Sequence, residues 1–260
     1  MVDQKAPIGV FDSGVGGIST LRTLARVLPN ENFIFYGDSA NAPYGEKSAT
    51  TVCRLSSHVI EQLQARAVKA VVIACNTATS AAKPQLMAQF PELPIVGIEP
   101  ALKEAVDAGE QHILVMGTPL TLSLPKYQAQ LAKFGARTNI YSLPCPGLAD
   151  RIELGSAGLP QIKSLLADLM APMLEHPIDA VVLGCTHYPF IQELITSKIP
   201  RPVRVYTGYE GIARQVTVQL AQRQLLRPAG ETSRTIEFMS SRNTPAELAL
   251  YQDLFDHGIE

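Results

Sequence analysis

Charge is scarce in this sequence, and so are closely spaced cysteines and long apolar runs. Of the 260 residues 18% are charged, and the formal net charge is −2. Without a basic surplus there is no electrostatic footprint for nucleic acid or an anionic membrane, and neither partner is expected. The four cysteines stand at positions 53, 75, 145 and 185, no two closer than 22 residues. That spacing excludes CxxC redox and zinc-ribbon chemistry and argues against a dense disulfide framework. No apolar run approaches the ~18 residues of a membrane helix. The N-terminus lacks the basic segment followed by an apolar one that marks a signal peptide. The expected compartment is therefore the cytoplasm, with reduced thiols.

Apolar content is high, at 46%, which excludes disorder as the dominant state. Short apolar runs recur along the chain: Ile8–Phe11, Phe33–Tyr36, Ala70–Ala74, Ile95–Val96, His112–Met116, Asn139–Tyr141, Ala180–Leu183, Val203–Val205 and Thr235–Phe238. Most are continuous and not alternating, as strands buried on both faces of a parallel sheet read. Helix-period segments separate them, about 17–28, 47–66, 78–90, 100–106, 120–134, 159–174, 189–196, 212–225 and 246–255. The β-α alternation predicts parallel sheets with helices on both faces.

An internal repeat divides this pattern. Lys69-Ala-Val-Val-Ile-Ala-Cys75-Asn76-Thr77 matches Asp179-Ala-Val-Val-Leu-Gly-Cys185-Thr186-His187 at an offset of 110 residues. Ile8-Gly-Val-Phe-Asp12-Ser13 matches Ile113-Leu-Val-Met-Gly117-Thr118 at 105. The expected fold is α/β, with two pseudo-symmetric three-layer domains. Residues 1–97 with 208–260 form the first, on the Cys75 side, and residues 98–207 the second, on the Cys185 side.

Cys75 and Cys185 each end an apolar strand and precede polar residues and a helix. Ligands in open α/β sheets bind beyond the carboxyl ends of the strands. Two facing thiols suit two-base stereoinversion. One thiolate takes a proton from a carbon acid such as an amino acid's Cα, and the opposite thiol returns one. Cys53, within a helix pattern, and Cys145, between two prolines, read instead as small buried hydrophobes.

Other candidates lie at the same strand ends. Asp12-Ser13-Gly14-Val15-Gly16-Gly17 opens a helix where backbone N–H groups favour an anion. It fits neither phosphate-binding glycine motif. Asp12 reads either as a cap or as a group handling protons or the substrate ammonium. Pro43-Tyr44-Gly45 reads as a turn that also lines the pocket. His187, two residues after Cys185, is placed to tune or relay its proton. Thr118 and Thr121 are candidate carboxylate donors, and Glu153, before the Gly155/Gly158 break, is a further candidate that on spacing alone reads equally as a surface carboxylate.

These residues carry a resemblance. Val-Phe-Asp12-Ser-Gly-Val-Gly-Gly, Tyr-Gly-Asp38 with Pro43-Tyr44-Gly45, Ala-Cys75-Asn-Thr-Ala, Gly-Ile-Glu99-Pro and Gly-Cys185-Thr-His-Tyr-Pro occur in that order. From about Ile8 to Ala213 the chain resembles the bacterial glutamate racemases of the cofactor-independent aspartate/glutamate racemase superfamily. The resemblance implies an active site between two α/β domains, no metal, pyridoxal phosphate or nucleotide, and a homodimer. It implies interconversion of L- and D-glutamate, with D-glutamate supplied to peptidoglycan. Carried over, Cys75 and Cys185 are the acid/base thiols, Asp12 supports Cys75, and Glu153 and His187 support Cys185. Asp12, Ser13, Tyr44, Gly45, Asn76, Thr77, Thr186 and His187 bind the amino acid.

Two segments depart from the family pattern. Tyr206-Thr207-Gly208 stands where an Asp-Ser pair is common, and Met116-Gly-Thr118-Pro-Leu-Thr121 where Ala-Thr-Pro-Gly-Thr is commonest. Aspartate racemase or a related two-cysteine isomerase is the nearest alternative. A thiol hydrolase using one cysteine with His187, or a non-catalytic amino-acid-binding module, would leave the second thiol without a role.

Overall fold

A computed structural model of the chain describes residues 3–228, 230 and 234–257. The chain divides into two compact units. The first comprises Met1–Tyr44, Ser48–Ile98 and Tyr209–Glu260, and the second Gly45–Lys47 and Glu99–Gly208.

The first unit is built on β1 (Ile8–Asp12), β2 (Phe33–Gly37), β3 (Ala70–Ile73), β4 (Ile95–Gly97) and β9 (Ile236–Ser240). They form one sheet in the order β4-β3-β1-β2-β9, with every pairing parallel. Its helices are α1 (Gly17–Val27), α2 (Ala49–Gln64), α3 (Asn76–Gln89), α10 (Tyr209–Gln222) and α11 (Pro245–His257). The second unit carries β5 (His112–Gly117), β6 (Asn139–Pro144), β7 (Ala180–Leu183) and β8 (Arg204–Tyr206). Its sheet is also parallel throughout, ordered β6-β5-β7-β8. Helices α4 (Leu102–Asp107), α5 (Pro119–Ser123), α6 (Pro125–Phe134), α7 (Leu148–Glu153), α8 (Leu159–Met170) and α9 (Gln192–Thr196) accompany it.

All nine apolar runs are strands, and the reason they read so clearly is burial. Every residue of β1, β2, β3 and β7 is buried, so both sheet faces are covered and no polar alternation is needed. The repeat covers four strands of each sheet. β4-β3-β1-β2 has the same order and direction as β8-β7-β5-β6.

Helix limits differ from the sequence reading in places with local causes. The expected helix 120–134 is two helices, because Leu124 precedes Pro125 and is extended, with φ −76° and ψ 149°. A following proline disfavours the helical region for the residue before it. The segment expected as helix 159–174 ends its α-helix at Met170 and continues as a 3-10 helix, Ala171–Glu175. The segment expected from 189 opens as a 3-10 turn, Tyr188–Ile191, before α9. Helix α3 begins at Asn76, two residues earlier than expected, so Cys75 is its N-cap. Among the described residues no helix is long and apolar enough to cross a membrane.

At the amino edge of the first sheet a buried ion pair ties four stretches of chain together. The Lys69 ammonium pairs with Glu31, and both side chains are buried. The ammonium also donates to the Gln4 carbonyl at 2.6 Å. The other Glu31 oxygen accepts from the Arg227 N–H at 2.9 Å. Removing one member leaves an uncompensated buried charge. Lys69→Met is expected to lower stability to chemical denaturation by about 3–5 kcal/mol, and Lys69→Met combined with Glu31→Leu to recover most of that loss.

Candidate active site

In each unit the register of two neighbouring strands places a cysteine beside a polar loop. Phe11 of β1 pairs with Ile73 of β3, and the Ala74 N–H donates to the Phe11 carbonyl at 2.8 Å. Asp12-Ser13 and Cys75 therefore leave the sheet side by side. Met116 of β5 pairs with Leu183 of β7, and the Gly184 N–H donates to the Met116 carbonyl at 2.7 Å. Cys185 leaves the second sheet at the equivalent point.

In the first unit Asp12 is fully buried, and one of its oxygens accepts from the Gly14 N–H at 3.1 Å. The helix that follows can close over Asp12 only because residue 17 is glycine. A Cβ there would lie 2.5 Å from Asp12 Cβ and 2.9 Å from the Phe35 ring. The Cys75 sulfur accepts from the Ala78 N–H at 3.4 Å, as an N-cap. It lies 3.8 Å from Ser13 Oγ. Asn76 and Thr77 form the buried first turn of α3. Among the described residues Asn76 Oδ1 is buried with no hydrogen-bond partner, and an unmet buried acceptor is costly unless a ligand supplies a donor.

Tyr44 belongs to the same cluster. Its hydroxyl donates to Asp38 Oδ2 at 2.5 Å, and Asn41 Nδ2 donates to Asp38 Oδ1 at 2.9 Å. Burial, and then the neighbouring Asp38, Cys75 and Asp12, push the Tyr44 phenol far above its ordinary range, so it stays protonated. Pro43 precedes it through a cis Ala42–Pro43 peptide. Asp38 was quoted above within a motif but given no role. Its part, holding Tyr44, emerges only from the geometry.

The second unit holds the remaining candidates. Cys185 Sγ lies 3.8 Å from His187 Nδ1. The other ring nitrogen, Nε2, lies 2.5 Å from Glu153 Oε1. Glu153 is the last residue of α7, a helix too short to show in the sequence pattern. Its carboxylate and the thiol thus bracket one buried imidazole. Burial alone would lower the His187 pKa. Glu153, followed by Cys185, outweighs it and raises the value well above 6.5. Thr186 is buried beside them. Thr118 caps α5, its hydroxyl accepting from the Thr121 N–H at 3.2 Å, and the two threonine hydroxyls lie 2.8 Å apart. Gly45 belongs to this unit, where a Cβ would lie 2.5 Å from Thr118 Cγ2.

One neighbour of Cys185, Tyr188, has no role assigned by the sequence alone. Tyr188 is fully buried, and its hydroxyl lies 3.5 Å from the Cys145 carbonyl. Cys145 is a buried core residue as expected. Burial, and then Cys185, push its thiol up to about 12. Tyr206, standing where an acid is common in the family, donates to Glu110 at 2.6 Å, and Arg204 pairs with the same carboxylate at 3.0 Å. None of the four cysteines forms a disulfide. Among the described residues no three His, Cys, Asp or Glu side chains gather as a metal site.

Two parallel sheets of this topology, each with a cysteine at an equivalent strand end among buried polar side chains, define an α/β protein with a candidate site at the carboxyl ends of its strands. Comparison with known proteins agrees. Residues 8–216 match the Asp/Glu/Hydantoin racemase family. The glutamate racemase of Clostridium acetobutylicum is 43% identical over 254 residues, covering 97% of this chain and 98% of that protein. The glutamate racemase of Clostridium novyi is 45% identical over 223 residues, covering 85% of this chain and 86% of its own length. The crystal structure of glutamate racemase from Francisella tularensis in complex with D-glutamate superposes with a TM-score of 0.82 at 28% identity. That match covers 97% of this chain and 94% of the other. The chain belongs to the Asp/Glu/Hydantoin racemase family.

The His187 pair makes a prediction with a definite sign. A folded-state pKa above the unfolded value of about 6.5 contributes stability that is complete below that pH. It is lost as pH rises through the higher folded value. The difference in thermal unfolding midpoint between the native protein and His187→Gln is therefore expected to be largest under mildly acidic conditions. It shrinks as pH is raised.

Proposed function

We propose that this protein interconverts L- and D-glutamate without a cofactor, Cys75 serving one face of the substrate Cα and Cys185 the other. The observation that carries the reading is the pair of cysteines, neither in a disulfide, at equivalent strand ends, each in its own buried polar cluster, in a chain of this family. Support for glutamate in particular comes from relatives named glutamate racemase that match it nearly end to end.

One thiolate takes the Cα proton, leaving a carbanion whose charge spreads into the carboxylate. The opposite thiol delivers a proton to the other face and becomes the thiolate for the reverse direction. Atoms and charge balance without any further reactant. The Cα proton is very weakly acidic, so the barrier is lowered by positioning and by fixed dipoles around the developing charge. Asp12 and Ser13 support Cys75. His187, held by Glu153, supports Cys185 and can pass protons along the thiol–imidazole–carboxylate line. The unmet Asn76 oxygen is an acceptor suited to the substrate ammonium. Thr77, Thr118, Thr121 and Thr186 offer hydroxyl and backbone donors to the carboxylates, and Pro43, Tyr44 and Gly45 line the pocket. The D-glutamate formed would serve peptidoglycan synthesis in the cytoplasm, with the enzyme acting as a homodimer.

The test is chiral chromatography after incubation of the purified protein with L-glutamate or L-aspartate, with no cofactor added. D-Glutamate formation is expected. Turnover of aspartate alone would move the protein to the neighbouring activity. Cys75→Ser and Cys185→Ser are each expected to lower turnover in both directions by about 10²–10⁴-fold, the span of general acid–base catalysis. Cys53→Ser is expected to leave it unchanged. Near-normal turnover in either single-thiol variant would overturn the two-base assignment.

A further inference from the structure

The loop that carries Asp38 and Tyr44 is held from behind by the end of the chain. Five hydrogen bonds make the clamp. The Ser241 N–H donates to the Gly37 carbonyl at 3.0 Å. The Ala40 N–H donates to Ser241 Oγ at 2.9 Å. Ser39 Oγ lies 2.7 Å from the Tyr251 hydroxyl. That hydroxyl donates to Glu247 Oε1 at 3.0 Å, and Ser240 Oγ donates to Glu247 Oε2 at 2.8 Å. Because a carboxylate only accepts, the chain of bonds has one direction: Ser39 to Tyr251 to Glu247.

The phenol sits where a strand end was opened for it. Residue 37, the last of β2, is glycine, and a Cβ there would lie 2.1 Å from the Tyr251 oxygen. Tyr251 is fully buried, with its ring edge-to-face against Phe35 at 5.3 Å between centroids. An apolar phenylalanine would fill that space equally well. The hydroxyl serves its polar partners, Ser39, Glu247 and Ser240. One of them, Ser39, follows Asp38, whose carboxylate holds Tyr44. The segment supplying the clamp, β9 and α11, lies beyond residue 216, where the match to the family model ends.

We propose that Tyr251 is a positioning residue of the glutamate site: its hydroxyl fixes Ser39, and through the Asp38–Tyr44 loop it sets the placement of Tyr44. This rests on the reading of Tyr44 as a substrate-lining residue. The C-terminal helix thereby contributes to substrate affinity without touching the substrate.

A double-mutant cycle on KM for glutamate tests it, with thermal unfolding midpoints recorded for every variant. Tyr251→Phe is expected to raise KM about five-fold, the counterpart of one ordinary hydrogen bond, with kcat changing less. In a Tyr44→Phe background, where the loop has lost its hold on the ring, the same substitution is expected to leave KM nearly unchanged. A purely structural role predicts equal effects in both backgrounds, and that result would overturn the inference. If Tyr251→Phe is too unstable to assay, Ser39→Ala breaks the same bond from the other side and carries the same expectation. A native protein that racemises glutamate while both variants keep the native KM would sink the positioning role and leave the proposed function standing. A native protein inactive on glutamate would sink both.

Discussion

The register between β1 and β3, and between β5 and β7, is the constraint on which everything else depends. A parallel ladder slipped by one residue would turn every side chain to the other face of its strand. Cys75 would then no longer emerge beside Asp12 and Ser13, nor Cys185 beside the start of the Gly117–Thr121 loop. Close packing favours that register: side chains on both faces of these strands are buried, and a slip would put residues of the wrong shape into each packed position. The two hydrogen bonds that close the ladders, from Ala74 to Phe11 and from Gly184 to Met116, occupy equivalent places in the repeat.

From equivalent strand ends the two halves then diverge. Cys75 caps a 14-residue helix, and its surroundings are a carboxylate, a serine hydroxyl and a phenol held by Asp38. Cys185 precedes a 3-10 turn and faces an imidazole held by Glu153. One thiol thus sits at a helix N-terminus, where partial positive charge favours an anionic sulfur. The other sits against an imidazole that Glu153 biases toward its protonated form. A catalyst that must work on two mirror-image substrates need only place both bases correctly. It need not make their environments the same.

Much of this architecture is legible in the sequence, for an identifiable reason. Strands buried on both faces print as unbroken apolar runs, the less buried edge strands β6, β8 and β9 print as shorter ones, and the offset of 110 residues between the cysteine strands exposed the repeat. What escaped depends on single residues or on distant ones. The break at Leu124–Pro125 is a local rule overridden by a long helical period. Helix α7 is six residues long and follows Gly147 in the left-handed region, at φ 68°, so it has no periodicity to read. Asp38 looks like any turn acid until Tyr44 folds back onto it. The fit between Gly37 and Tyr251 joins residues more than two hundred positions apart, and neither residue alone announces it.

The central claim is that two different groups act on the two faces of one carbon, and isotope placement tests it most directly. L-Glutamate is incubated with the protein in deuterium oxide, and both enantiomers are recovered at low conversion for analysis of the Cα hydrogen. Two thiols on opposite faces predict D-glutamate that carries deuterium from the first turnovers, while the remaining L-glutamate keeps its protium. A single base swinging between faces would instead return the original proton. D-glutamate carrying protium at Cα would contradict the account.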